Sequence, residues 1–357
     1  ASEAVAMLRV FPSDERRIVF LNGRYEPALS NTASDSVVMG NLQAALSHPE
    51  VEHHLARHAG HGKRAFAALN TAFFEDGALV YIPERASVAR PVHIVHVSLP
   101  GARPAISHPR NLIVVGAGAH ATVIESYIGG GAYFSNAVTE IVCGENSILE
   151  HCKMQQESIE AYHIASMQIR QDRSSVFTSR SLAFGGALAR TEIGSVLDEC
   201  CECTLNGLYL VSGHQHVDTR TTIDHAKPHA SSHEMYKGIL DGYSSAVFNG
   251  KIVVRKDAQK TDAKQTNKNL VLSENATINT KPQLEIFADD VRCTHGATVG
   301  QLDADSIFYL RSRGIDPGAA RQILTYAFAR EIVDGIKHEE FRDYVGAILS
   351  ERLKEAR

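Results

Sequence analysis

The chain contains no tryptophan, and aromatic residues make up only 7% of its 357 positions. It is therefore poor in the rings that stack on unpaired bases. It also lacks a basic field: the formal charge is −5, which offers nucleic acid or an anionic membrane no global attraction. No apolar run approaches the roughly 20 residues that span a bilayer, and no signal peptide opens the chain. The six cysteines are scattered and form no disulfide framework, so reduced thiols in a cytoplasmic setting are expected. The chain begins at Ala1 rather than Met, as if an N-terminal segment had been removed. Two catalytic signatures are missing as well. No G-x-x-x-x-G-K-[ST] phosphate loop occurs, since Gly62-Lys63 and Gly250-Lys251 lack both the upstream glycine and the following Ser/Thr. No G-x-S-x-G nucleophile elbow occurs either.

What is present falls into three parts. Residues 1–77 read as mostly helical after a short extended start, Arg16 to Asn22, that turns at Gly23. Pro49 suits the first position of a helix, with Val51, Leu55 and Ala59 at helical spacing. A second helical pattern, Ala65, Phe66, Leu69 and Phe73, ends at Asp76-Gly77. Residues 78–302 change texture: short runs of Val, Ile, Thr and Ser alternate with Gly, Asn and Asp, with no long amphipathic helix. Related runs (Ala119–Glu125, Glu145–Glu150, Arg173–Thr178, Glu274–Asn279) recur where they can be followed at roughly 25–30 residues, a solenoid-like period. That loose repeat favours a parallel β-helix over a pair of sandwiches, and no strict six-residue period supports a left-handed hexapeptide helix. Residues 303–357 return to helix. Asp303 is a candidate N-cap for a helix through Arg311, Gly314 fits the left-handed stop, and Asp316-Pro317 starts the next helix. There Ile323, Leu324, Ala327, Phe328 and Ile332 form one stripe. Phe341, Tyr344, Val345, Ile348 and Leu349 do so in the last helix, which ends in the charged run Glu351–Arg357. These helices can cap a solenoid or face a partner.

The strongest chemical candidates are Cys293 and His295, two ligand-grade side chains on one side of a strand just before Gly296. Two ligands do not close a structural metal site, so further donors would come from elsewhere, and no metal site is assigned within this chain. Cys200, Cys201 and Cys203 read as core packing rather than a thiolate cluster. His214, His216, His225, His229 and His233 match no zinc spacing and read as polar turns. The basic stretch Lys251–Thr266 reads as a solvated face.

Between residues 205 and 315 a long ordered set of polar motifs resembles one family. It includes His216-Val-Asp218-Thr-Arg-Thr-Thr-Ile-Asp224-His225-Ala-Lys-Pro228 and Lys237-Gly-Ile-Leu-Asp241-Gly242. It continues through Ala258-Gln-Lys-Thr-Asp262-Ala-Lys-Gln-Thr-Asn267, Lys281-Pro-Gln-Leu-Glu-Ile and Cys293-Thr-His295-Gly to Phe308-Tyr-Leu-Arg-Ser-Arg-Gly-Ile315. The chain resembles the SufD subunits of the SUF iron–sulfur cluster assembly machinery, with a shorter echo at Leu69–Gly77. The resemblance implies a right-handed parallel β-helix with helical segments at both ends. It implies a non-catalytic subunit that pairs with a SufB-like paralogue through the end of the β-helix. It further implies that a SufC-like ABC-type ATPase binds the C-terminal helices, where Tyr309, Arg311 and Arg313 are the expected contact. By the same resemblance His295, and less strongly Cys293, handle iron or a nascent cluster at the subunit interface. No cofactor is expected to stay on this chain alone, and an isolated chain could pair with a second copy.

Two rivals come from other classes. A polysaccharide lyase on a β-helix would need paired carboxylates and a cation in one groove, for which Asp218, Asp224, Asp241 and Lys237 are the candidates. An acyltransferase would need the hexapeptide repeat that is missing.

Overall fold

The computed structural model describes residues 7, 16–33, 37–60, 64–101 and 104–355. Gly62, Lys63 and the last two residues of the charged C-terminal run lie outside them.

Short β-branched runs separated by turn residues fold here into two facing parallel sheets. One sheet runs through Arg16–Leu21, Val92–Ser98, His120–Gly129, Ile148–Gln156, Val176–Ala183, Glu202–Val211, Ser231–Leu240, Asp262–Val271 and Arg292–Gly300. The other runs through Ala78–Ile82, Arg110–Val115, Tyr133–Cys143, Tyr162–Gln171, Leu188–Leu197, His216–His225, Ser245–Val254 and Thr277–Ile286. Along most of the chain, successive strands alternate between the sheets, giving a β-solenoid of about eight turns. The rung length varies from 26 residues (Val176 to Glu202) to 33 (Leu79 to Leu112), close to the period read from the sequence.

The repeat itself has a physical cause at one corner of the coil. Gly118, Asn146, Ser174, Cys200, His229 and Lys260 all adopt positive φ, between 56° and 65°. The amide of each donates to a carbonyl of the next coil, as in Asn146 to Arg173, Cys200 to Pro228 and Lys260 to Asp290. The following residue is small and buried every time: Ala119, Ser147, Ser175, Cys201, Ala230 and Thr261. A left-handed corner followed by a small side chain lets the coils stack at the ~4.8 Å spacing of paired strands. This ladder explains the Cys200–Cys201–Cys203 group. Cys200 is the exposed corner and Cys201 the small stacked residue, its thiol donating to the Asp172 carbonyl at 3.1 Å. Cys203 points into the core, where burial pushes its thiol up to about 12.

The N-terminal region is less helical than its sequence pattern. Its strand Arg16–Leu21 joins the first sheet in parallel with Val92–Ser98, and Val38–Asn41 pairs antiparallel with Ala78–Ile82. The region therefore closes the first coils of the solenoid. Helix α1 (Pro49–His54) begins at Pro49 as expected but stops before Leu55 and Ala59. The competing force is the carboxylate of Glu140, which accepts from the amides of Ala56, His58 and Ala59 at 2.7–2.8 Å and bends the chain around itself. Burial opposes ionisation of Glu140, but Arg110 at 2.7 Å and these amides prevail and hold its carboxyl below the usual range. Helix α2 (Ala65–Phe73) buries Ala67 and Asn70, whereas Phe66 and Phe73 of the expected stripe are exposed.

Three helices follow the last strand: α3 (Ala304–Ser312), α4 (Pro317–Val333) and α5 (Glu339–Glu355). The predicted caps form. Asp303 accepts from the Ser306 amide at 2.9 Å, Asp316 from Gly318 and Ala319, and Gly314 has φ +85°. Helices α4 and α5 do not cap the solenoid. They lie along the outer face of the first sheet, packing Ala329, Ile332, Val333, Val345 and Leu349 on Met154, Leu182, Leu208 and Ile239. Each of the Val, Leu, Ile and Met side chains buried there contributes about 1.5–3 kcal/mol. The buried stripe of α4 is thus rotated from the one expected, leaving Ile323 and Ala327 exposed, while that of α5 is as read.

Candidate functional site

Because the helices cover a side of the solenoid, its last coil has no neighbour at its end among the described residues. Strand Thr277–Ile286 ends one sheet and Arg292–Gly300 ends the other. Half of the first strand's residues and nearly all of the second's are exposed and none of either is buried, in contrast to the strands before them. The apolar side chains Ile286, Phe287 and Val299 are all more than a third exposed here. Unpaired strand edges beside apolar side chains are what a partner strand or sheet covers.

Cys293 and His295 lie on this last strand. Cys293 is in register with buried Ala263 and His295 with buried Gln265. Both therefore extend ladders whose earlier members point into the solenoid, and both sit at its mouth. They differ in setting. Cys293 is half-buried against Ile252, Ala263 and Ala288, and this burial, with Asp262 nearby, pushes its thiol above the ordinary range. A thiol so placed is held protonated and is a poor metal ligand until something displaces that proton. His295 is exposed, so its imidazole can reach a species arriving from outside. Among the described residues no group of three or more His, Cys, Asp or Glu side chains is gathered as a metal site. The mouth offers one accessible nitrogen donor and one guarded sulfur, an incomplete set that fits chemistry shared with a second chain.

The other sequence candidates disperse. Tyr309 and Arg311 lie on α3 and Arg313 at its C-terminus, with the Arg313 guanidinium 5.1 Å from the Tyr309 ring centre. Helix α3 buries none of its residues, and Phe308 and Tyr309 are among the most exposed large side chains. His214 stacks on Tyr243, His216 bonds Ser245 at 2.6 Å, and His225 is buried against Ser232 at 2.9 Å. They share no centre. The lyase constellation also fails. Asp218 pairs with Arg190 and Arg220, and Asp224 with Arg255, on the second sheet. Lys237 lies on the first sheet, buried under α4, where it donates to the Phe328 carbonyl at 2.7 Å and pairs with Glu331. Its role there is to pin a helix.

Sequence reading missed the polar interior. Near the N-terminal end Glu125 accepts from Thr139 at 2.9 Å and from Tyr127, and contacts His151 at 3.4 Å. Lys153 lies 3.3 Å from His163, whose other nitrogen is 2.8 Å from Glu157. Near the mouth Glu234 and Gln265 are buried together, Gln265 Nε2 donating to Glu234 at 2.7 Å. The signal was polar residues recurring at the rung period on inward positions: Glu234, Gln265 and His295 are 31 and 30 residues apart. No helix among the described residues is long and apolar enough to cross a membrane.

Comparison with known proteins agrees with this architecture. The family profile described as "SUF system FeS cluster assembly, SufBD core domain" matches residues 98–328, and that of the "SufBD protein N-terminal region" matches 12–94. An iron–sulfur cluster assembly SufBD family protein of Synechocystis is 38% identical over 341 residues, covering 90% of this chain and 74% of the relative. The iron–sulfur cluster assembly protein SufD of Escherichia coli is 33% identical over 349 residues, covering 95% and 80%. The chloroplastic protein ABCI7 of Arabidopsis thaliana is 32% identical over 288 residues, covering 78% and 61%. With a core profile matched across most of its length and two relatives above 30% identity that it covers over more than two thirds of their length, this solenoid belongs to the SufBD family of SUF-system iron–sulfur cluster assembly proteins.

Proposed function

We propose that this chain is a non-catalytic scaffold subunit of a cytoplasmic iron–sulfur assembly complex. It joins a SufB-like paralogue through the open end of its solenoid and a SufC-like ABC-type ATPase through its C-terminal helices. The observation that carries the reading is the last coil, where unpaired strand edges, exposed Ile286, Phe287 and Val299, and an accessible His295 share one surface. A solenoid of the same kind can continue the sheets across that edge, and the junction then brings its own ligands to complete the donor set of His295 and Cys293. Iron or a nascent cluster is the cargo of that junction, held only while the subunits are joined. Helix α3, next to the mouth and without buried residues, is the surface offered to the ATPase through Tyr309, Arg311 and Arg313. Movement of an ATPase there would be felt at the last strand, since only residues 301–303 separate the two. A chain isolated from its paralogue would pair through the same edge with a second copy.

Co-expression with the two partners tests the assignment. Val299→Lys, which places a charge on the exposed edge, should abolish pairing with the paralogue and leave the ATPase bound. Arg311→Glu with Arg313→Glu should do the reverse. Removal of all residues after 302 would be a poorer test, because it strips α4 and α5 from the apolar face they cover. Retention of both partners by both variants would refute the placement of these surfaces.

A further inference from the structure

We infer that Gln265 and Glu234 are positioning residues that fix the tautomer of His295 and aim its free nitrogen lone pair out of the solenoid's mouth. This rests on the reading above that His295 meets iron or a nascent cluster. Glu234, Gln265 and His295 occupy one register position in three successive coils, about 4.8 Å apart. The inner two are 2% and 1% exposed, and His295 is exposed. Gln265 Nε2 donates to Glu234 Oε2 at 2.7 Å. Where the carboxyl is ionised, that bond fixes which way the amide is turned, because a carboxylate oxygen only accepts and the amide nitrogen must face it. The amide oxygen, Gln265 Oε1, is buried and has no hydrogen-bond partner.

A buried acceptor left open costs about 1–3 kcal/mol, and the place for this amide is built at the expense of a side chain opposite. Gly250 faces it from the second sheet, and a Cβ there would lie 2.2 Å from Gln265 Nε2. Any other residue at 250 would push the amide away. The group next outward on the same ladder is the His295 imidazole. A neutral imidazole carries one N–H and one lone pair. When the exposed ring turns inward to give its N–H to Gln265 Oε1, the remaining nitrogen is left as an acceptor directed away from the solenoid. Metal-binding histidines use this arrangement, donating the second ring N–H to a carbonyl or carboxylate that sets orientation and basicity. Here the carbonyl is Gln265's, and Glu234 keeps it from flipping.

The test reads the tautomer directly. The isolated chain is labelled with 15N-histidine, and the two ring nitrogens are followed by NMR at a pH well above the usual histidine range. The His295 signals are identified by their loss in His295→Ala. The wild type should show one predominant tautomer. Gln265→Met should convert it to a mixture, and Gly250→Ala, which retains every polar group but displaces the amide, should do the same. Gln265→Glu combined with Glu234→Gln reverses donor and acceptor within the pair, keeps an acceptor toward the mouth and should preserve the single form. In the assembled complex, Gln265→Met should weaken iron retention about 10–100-fold. An unchanged tautomer ratio in both Gln265→Met and Gly250→Ala would overturn the inference. A changed ratio with undiminished iron would uphold the positioning role and count instead against His295 as an iron ligand.

Discussion

Glu125 and Glu234 both point into the solenoid and both are fully buried, yet their carboxyls are driven in opposite directions. Burial alone raises each of them. At Glu125 the contacts with His151, Lys153 and Tyr127 outweigh it, and the carboxyl falls far below its ordinary range. At Glu234 only Thr221 and Gln265 oppose burial, and the carboxyl rises to about 7. The two ends of one interior are thus different media. The early coils hold paired charges, Glu125 with His151 and Glu157 with His163, and the N-terminal strands and helices close over them. Buried atoms without hydrogen-bond partners occur at both ends, among them His96 Nδ1 and Asn136 Oδ1 early and Glu234 Oε1 and Gln265 Oε1 late; what sets the last coils apart is Glu234, whose carboxyl has no cation to hold it ionised. A buried network of paired charges serves rigidity, whereas a buried carboxyl without a cation near an open end is free to respond to what arrives there.

The largest effect should come from breaking a sealed pair. Arg110 and Glu140, on the outer face of the second sheet beneath the N-terminal segment, are both fully buried, so Arg110→Met leaves a carboxylate without its cation and should cost about 3–5 kcal/mol in urea or thermal unfolding. If the loss is under about 1 kcal/mol, the N-terminal coils are not sealed as described.

The second effect concerns pH. Glu234 has a raised folded-state pKa, so the folded chain holds a proton there that the unfolded chain releases above about 4.5. Its contribution to stability is fully present below that value and is lost as pH rises to about 7, on the order of 3 kcal/mol. Two of the titratable side chains near it, Cys203 and Tyr236, lie outside this range. Burial pushes Cys203 up to about 12 and Tyr236 well above its usual value. Glu234→Gln should therefore flatten the slope of stability against pH between 4.5 and 7 relative to wild type. Glu125 and Glu157 have lowered values, so their stabilisation is present at neutral pH and is lost only as the medium becomes strongly acidic. Equal slopes for wild type and Glu234→Gln would erase the contrast between the two ends.

The smallest effect should be at the corner ladder. Cys200→Gly relieves a left-handed backbone at an exposed site and should change stability by no more than about 1 kcal/mol. It should leave iron in the assembled complex untouched. Loss of iron there would return the Cys200–Cys203 group to the functional candidates.

Much of this architecture was legible in the chain. The loose 25–30 residue period, the caps at Asp303 and Asp316, and the stop at Gly314 are local signals, set by backbone sterics and nearest hydrogen bonds. The placement of Cys293 and His295 on one face followed from strand alternation. What was not legible depended on long-range stacking. Phe66 and Ile323 looked like core residues at helical spacing, but which face of a helix is buried is decided by the sheet it meets. Glu140 ends α1 from more than 80 residues away. The Glu234–Gln265–His295 file emerges only when three rungs are laid in register.

The most direct test of the central claim is the iron and sulfide content of the complex purified anaerobically with its paralogue and ATPase, for wild type and His295→Ala. The open-end account predicts that both assemble and that the variant alone loses iron. Full assembly with equal iron in both would contradict it and would leave the mouth of the solenoid as a docking surface only.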